Sequence, residues 1–496
     1  MLAAALISVA CILFWFWKHH TRNVNEPPEF PGAWPILGHA PLLIGDSCSE
    51  YYSQINNEVY HNANWSYDIG GVMTCRIGPR TGYIVTDPDD LFTIANTCLE
   101  KDSFYRFAKP WLGNSLVTGN LSVWKHNRKF VTPAFSQAML DSFMGVFNCQ
   151  SRKLVRDLQQ EVGKGLFNHW SYTKNSALET ICLTALGVDF RDKMLNSQYV
   201  EATEEIFRTL VDRFMKFWLH SKHTYRFSGL KKKQDACLKI VHNMTNTVSI
   251  LQRRKLEFNG NICAERRLLP GTTYKAFLDL LLELSMKKGV LNDREVREHI
   301  DTMIVGGHDT SANVLMFTML LLGAHPDAQE TAAAEIKEVL GDGDRDVEKQ
   351  DLSQLVYLEA VLKESMRIHT IAPVLARQLD RDVKLKNYTL SAGRTCFLFL
   401  FGVHRHPVWG SDRHQFRPER WLDPATLPDN PNAYAAFSIG RRFCIGKVYA
   451  LMSMKTTLVH LIRNYRMTAD TSQLQLKIDV MLKPHDGYFI SIEKRT

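Results

Sequence analysis

The sequence predicts a mainly α-helical protein with small β-sheets, built as one large domain behind an amino-terminal anchor. Three observations predict it. From about Met139 to His460, apolar residues recur at three- and four-residue spacing with few strand-like runs. One stretch, Asp293 to Ala324, runs without proline and stops at His325-Pro326, long enough for a helix to cross a whole domain. Strand-like runs are short: Met73 to Ile77, Gly82 to Thr86, Thr395 to Phe401 and Tyr488 to Ile492. The 496 residues are 45% hydrophobic and 23% charged, which excludes a disordered chain, a collagen-like repeat or a small disulfide-held scaffold. The net charge of +8 is spread along the chain and gives no reason to expect a nucleic-acid partner. Ten cysteines form no C-x-x-C pair, a pattern of reduced thiols.

Residues 1–17 carry no charged side chain and end in Phe14-Trp15-Phe16-Trp17, after which Lys18, His19, His20 and Arg22 follow at once. At ~1.5 Å per residue such a helix reaches roughly 25 Å, enough for a thin bilayer. The aromatic end suits the membrane interface, and the basic cluster behind it should remain cytosolic. A cleaved secretory signal is the alternative, but its positive charge would precede the apolar core and its cut site would carry small residues. Residues 18–38 read as a basic stretch and then a stiff hinge, Pro27-Pro28-Glu29-Phe30-Pro31-Gly32-Ala33-Trp34-Pro35. Residues 39–496 form the body. No glycine-rich loop follows a strand, so neither a dinucleotide nor a P-loop site is expected.

Four motifs carry chemistry. In Phe437-Ser438-Ile439-Gly440-Arg441-Arg442-Phe443-Cys444-Ile445-Gly446, glycines let the backbone bend around a cysteine, while Arg442 and the helix start beyond it favour a thiolate. A lone cysteine is usually a packing thiol; here the flanking residues decide otherwise. They match the haem-thiolate loop F-x-x-G-x-R-x-C-x-G, and on them the chain resembles the cytochrome P-450 superfamily. The resemblance implies that family's fold, a haem b whose proximal ligand is Cys444, and Phe437, Gly440 and Gly446 as parts of the haem-binding loop.

The remaining motifs gain meaning beside the first. Glu364 and Arg367 stand three apart on one helical face, ordinarily a solvated pair. With Arg420, in the segment Pro418-Glu419-Arg420-Trp421, they resemble the family's E-x-x-R and P-E-R-F elements, implying a structural, haem-retaining network of Glu364, Arg367 and Arg420. Gly306-Gly307-His308-Asp309-Thr310-Ser311 interrupts the long helix with two glycines, costing about 1 kcal/mol each against alanine. Close packing against a neighbour is one explanation. The other, implied by the family's A/G-G-x-D/E-T-T/S pattern, is a groove at Gly307 over the haem, with Thr310 delivering protons and Asp309 relaying them. Trp124 and Arg128 lie one helical turn apart and can address a single anion. The family directs this pair at a haem propionate, and Arg377 and Arg442 match two further propionate contacts.

Lys101-Asp102-Ser103-Phe104-Tyr105, Lys109-Pro110-Trp111-Leu112-Gly113, Thr132-Pro133-Ala134-Phe135 and Asp301-Thr302-Met303 resemble the family-four branch, which includes vertebrate fatty-acid ω-hydroxylases and many insect enzymes. Many of its members have glutamate at the position of Gly306 and can esterify the haem there. Gly306 has no carboxyl group, so no ester is expected at this position. Thr370-Ile371-Ala372 also replace the branch's usual prolines. Phe104, Phe107, Leu116, Val305 and Val374 are candidate pocket residues, with core packing the competing role.

The implied activity is a microsomal monooxygenase, anchored in the endoplasmic-reticulum membrane with its catalytic domain in the cytosol. It would insert one atom of O2 into a hydrophobic small molecule: a fatty acid, a hormone-like lipid or a xenobiotic. Because no flavin or nicotinamide site is evident, electrons would come from NADPH-cytochrome P-450 reductase, with cytochrome b5 as a second candidate donor. Lys125, Lys129, Arg441 and Lys447 would offer it a basic docking face, a plain solvated surface being the alternative. Two other readings stay open: a haem-thiolate isomerase or dehydratase, and a non-enzymatic haem sensor or carrier.

Overall fold

The computed structural model describes residues 26–34, 38–39, 66–77, 80–187, 197–259, 266–267, 273–485 and 487–495, with Val9 and Cys11. The anchor expected at 1–17 lies outside them apart from those two residues. Among the described residues, no helix is long and apolar enough to cross a membrane. The described part of the proline-rich hinge docks onto the body: Thr74 N donates to Pro28 O, and Phe30 N to Thr74 O, each at 2.8 Å.

The elements that position the site are, in chain order, β1 (Val72–Ile77), β2 (Arg80–Val85), α1 (Leu121–Val131), α2 (Met144–Leu158), β3 (Phe167–Asn168), α3 (Trp170–Ile181), α4 (Ser197–Met215), α5 (Gly229–Asn259), α6 (Asp293–Ala324), α7 (Val356–Ile368), β4 (Val374–Gln378), β5 (Thr395–Phe399), α8 (Lys447–Asn464), β6 (Tyr465–Thr468) and β7 (Phe489–Lys494). Helices dominate, as the spacing predicts. The largest sheet has the order β1-β2-β5-β4, and a second has the order β6-β7-β3. In the first, β2 and β5 run parallel and the other pairs antiparallel. The β5 run is shorter than its sequence suggests, because the chain turns at Phe399 into a short helix, Leu400–Val403.

Helix α6 is the axis of the molecule, and its bounds follow from local chemistry. Asn292 caps its start: Glu295 N donates to Asn292 Oδ1 (3.0 Å) and Asn292 N to Glu295 Oε2 (2.9 Å), a reciprocal capping box. His325-Pro326 ends it, since Pro326 opens the next helix, Pro326–Leu340. Most of α6 is buried, with α3 running along one flank, and its apolar residues join those of α2, α3, α7 and α8 in the main core. A smaller core around Val72, Tyr83, Leu91 and Leu398 underlies the large sheet.

A buried carboxylate joins α7 to the segment leading to the Cys444 loop. Glu364, Arg367 and Arg420 are all buried. Glu364 accepts from Arg367 Nε (2.8 Å) and Nη2 (2.7 Å), Arg420 Nε (3.3 Å), Arg417 N (3.1 Å) and Trp421 Nε1 (2.9 Å). Arg367 also donates to the carbonyls of His404, Arg413 and Gln415, and Arg420 to Asp412 Oδ1 at 3.1 Å. The expected trio is therefore assembled, with Asp412 and Trp421 as members that the motifs do not reveal. Glu364→Ala would leave two guanidiniums buried without their counter-charge, costing ~3–5 kcal/mol. Chemical denaturation should show that loss, with reduced haem content in the purified protein.

Candidate active site

The Cys444 loop is shaped by backbone more than by side chains. Ser438 and Gly440 take positive φ, 61° and 73°. At Gly440 a Cβ would also come within 2.8 Å of Ala95 O, so only glycine fits there. Cys444 N donates to Phe437 O at 2.9 Å, closing the loop immediately before α8. By contrast, a Cβ at Gly446 would meet nothing nearer than 3.8 Å, so its space alone does not require glycine.

Cys444 faces a cavity of ≈ 330 Å³. Phe437, Arg442 and Gly446 line it from the loop, Trp124 and Arg128 from α1, and Gly306, Gly307, Thr310 and Ser311 from α6. The rest of the wall is largely apolar, including Leu116, Phe135, Met303, Val314 and Leu375. Of the other candidate pocket residues, Leu116 lines this cavity, whereas Phe104, Phe107, Val305 and Val374 do not. Phe104 instead packs edge-on to Phe107, Phe214 and His220.

Burial pushes the Cys444 thiol up, opposed by the Gly446 amide and by the charges of Arg128 and Lys447. A bound metal cation would favour the thiolate. Arg442 does not supply the charge expected beside Cys444. Its guanidinium lies over the Trp124 ring, 4.7 Å from the centroid, and donates to Gly119 O at 3.3 Å. Arg128 takes that place, its Nη1 donating to Phe443 O at 3.2 Å.

Arg442 and Lys101 line the cavity, whereas Arg377, expected beside them, is fully buried and is not among the lining residues. Arg377, on β4, donates to the Ala376 carbonyl (3.2 Å) and interacts with Tyr105, while its Nε and Nη2 have no hydrogen-bond partner among the described residues. Burial and the Arg377 charge press Arg442 down to about 10. Lys101, paired by a backbone bridge with Arg377, is pushed well below the usual lysine range by burial, Arg377 and Arg442. Lys101, which opens the Lys101-Asp102-Ser103 segment, lines the cavity, a placement that the motifs do not reveal. Clustered buried cations with free N–H groups call for a multiply charged anion.

The two glycines of α6 have different roles. A Cβ at Gly307 would come within 2.6 Å of Ile181 Cδ1, so this glycine permits close packing against α3. One at Gly306 would meet nothing within 4 Å. Thr310 Oγ1 donates to Gly306 O at 2.6 Å, which leaves its lone pairs free. Asp309 is not brought to Thr310 or to the cavity wall. It is buried, with Oδ2 3.7 Å from Lys483 Nζ; burial raises its pKa, while Lys483 and Lys174 oppose that rise.

The chain matches the protein-family model described as Cytochrome P450 over residues 27–491. The chain belongs to the cytochrome P450 family. Among its relatives, Cytochrome P450 4V2 of Rattus norvegicus is 32% identical, over 96% of this chain and 91% of that protein. Cytochrome P450 4V2 of Mus musculus is 30% identical, over 99% of this chain and 94% of its own length. Cytochrome P450 4c3 of Drosophila melanogaster is 29% identical, covering 98% and 93%. These are family-four proteins, so the branch read from the motifs is correct and includes insect members.

The family uses haem b with an axial cysteine thiolate, and its members are monooxygenases acting with O2, a redox partner and a hydrophobic substrate. The residues present fit that cofactor. The cavity has a thiol at one wall, an apolar interior and, among its lining residues, the cations Lys101, Arg128 and Arg442, suited to two propionates. Lys101→Met should therefore raise the melting temperature of the haem-free protein, because a buried charge is removed. It should also speed haem loss about tenfold, the value of one charge-assisted hydrogen bond. Thermal scans and haem transfer to apomyoglobin would measure the two effects.

Proposed function

We propose that the protein is a membrane-anchored haem-thiolate monooxygenase that inserts one oxygen atom of O2 into a fatty acid, hormone-like lipid or xenobiotic. The observation that carries this reading is that Cys444 and Thr310, from separate elements, line one largely apolar cavity. Cys444 would be the iron ligand, and Trp124, Arg128, Arg377 and Arg442, with Lys101, would hold the propionates. Bound haem would supply the oxygen chemistry, with the thiolate as electron donor.

The chain's own task is to exclude water, orient an apolar substrate and move protons. Thr310, whose hydrogen is held by Gly306 O, offers oxygen lone pairs to a proton donor and can pass its own proton on. Asp309 relays protons to Thr310 only after its carboxyl leaves Lys483. No ester forms at Gly306. An isomerase or a haem carrier needs neither Thr310 nor an external donor, so NADPH-dependent turnover separates these readings.

Electrons come from NADPH-cytochrome P450 reductase, with cytochrome b5 as an additional donor. Lys125, Lys129, Arg441 and Lys447 are all exposed, and the Arg128–Phe443 contact joins the two segments that carry them. This supports a basic docking face. Residues 1–17 form the anchor, 18–38 the hinge and 39–496 the catalytic domain, on the cytosolic side of the endoplasmic reticulum.

Reduced, CO-bound protein should show a thiolate-type Soret band that Cys444→Ser abolishes; a histidine-type band in the wild type would sink the assignment. Thr310→Ala should keep the band but lower product per NADPH about tenfold or more, with peroxide released instead. Reductase-supported turnover should slow as salt screens the basic face, and indifference to ionic strength would remove that face from docking.

A further inference from the structure

Behind Gly307 lies a second, smaller void of ≈ 10 Å³ between α3, α6 and α8, room for about one water molecule. Ser176, Thr180, Ser311, Tyr449, Ser453 and Thr457 place hydroxyl-bearing side chains on its walls. Thr180 Oγ1 donates to Ser176 O (2.7 Å) and so keeps free lone pairs, while Thr457 Oγ1 donates to Ser453 O (2.9 Å) and also lies 3.1 Å from Ser151 Oγ. Thr184 Oγ1 donates to Thr180 O at 2.9 Å, which makes Tyr449 the donor in its 2.8 Å bond to Thr184. The Ser311 and Ser453 hydroxyls have no hydrogen-bond partner among the described residues. A void with this lining offers a water several acceptors and two unsatisfied hydroxyls, whereas an apolar void of the same size would stay dry.

Its position suggests a use. Gly307, Ser311 and Tyr449 line both this void and the main cavity. On the far side, Ser176 and Ser453 are half-exposed. Ser311 immediately follows Thr310, while Asp309 is turned towards Lys483.

We infer that the void holds one exchangeable water that conducts protons from solvent, through the Ser311 hydroxyl, to Thr310. Ser311 passes its hydrogen towards the cavity and takes a replacement from the water, which is recharged from solvent past Ser453. No electrons move and no charge remains on the route. This rests on the monooxygenase reading, in which Thr310 consumes the protons.

The test uses full-length holoenzyme. A high-resolution crystal structure should show an ordered water bonded to Ser311 and Ser453, and Ser453→Val should expel it. In reconstituted turnover, Ser453→Val and Ser311→Ala should each raise the share of NADPH lost to peroxide about threefold, well below the ~100-fold effect of losing a general acid outright. Ser311→Thr, which keeps the hydroxyl, should restore coupling. The reduced CO spectrum should stay thiolate-type throughout; if Ser453→Val fails to fold, the Ser311 pair decides. A dry void, or wild-type coupling in Ser311→Ala with an intact spectrum, overturns the water route alone. A histidine-type spectrum in the wild type overturns the reading beneath it.

Discussion

One carboxylate fixes the approach to the Cys444 loop. Glu364 receives hydrogen bonds from two guanidiniums, a backbone amide and an indole, contributed by α7 and by the segment Arg417–Trp421. That segment leads into the Cys444 loop, so the loop's position depends on a charge network fully removed from water. A surface pair would flex and be screened; a buried one is fixed, because any member that leaves strands the others at high cost. The loop adds its own rigidity through Gly440, which no side chain could replace against Ala95.

The cavity side follows the opposite logic. There, cations are drawn together with guanidinium N–H groups left unsatisfied among the described residues, and a thiol faces the cavity although desolvation disfavours its ionised form. Each is unfavourable in the protein by itself and is resolved by one ligand with a cationic centre and anionic edges. Stability is concentrated behind the site and withheld within it, as expected where a prosthetic group completes the structure.

Much of this was legible in the sequence. The bounds of α6 were readable because Asn292, Glu295 and Pro326 are local signals. The Cys444 loop was readable because glycine spacing reports backbone shape. Contacts made across the fold were not readable: Asp412 and Trp421 join Glu364 only after the chain returns, and Lys101 meets Arg377 through a bridge between distant segments. Asp309 shows a different limit. Adjacent helical residues point about 100° apart, so a shared motif does not by itself place Asp309 on the wall that Thr310 lines. Gly306, Thr310 and Val314, spaced by four, do share it.

The gathered cations also bear on how the protein matures. In the proposed reading, their mutual repulsion raises the free energy of the haem-free chain, and the propionates would remove it when the cofactor enters. By mass action, the population of completed molecules then tracks free haem, and a chain made during haem shortage is the form most exposed to unfolding and proteolysis. Cofactor supply thereby becomes a control on how much of this enzyme accumulates, written into the placement of Lys101, Arg377 and Arg442.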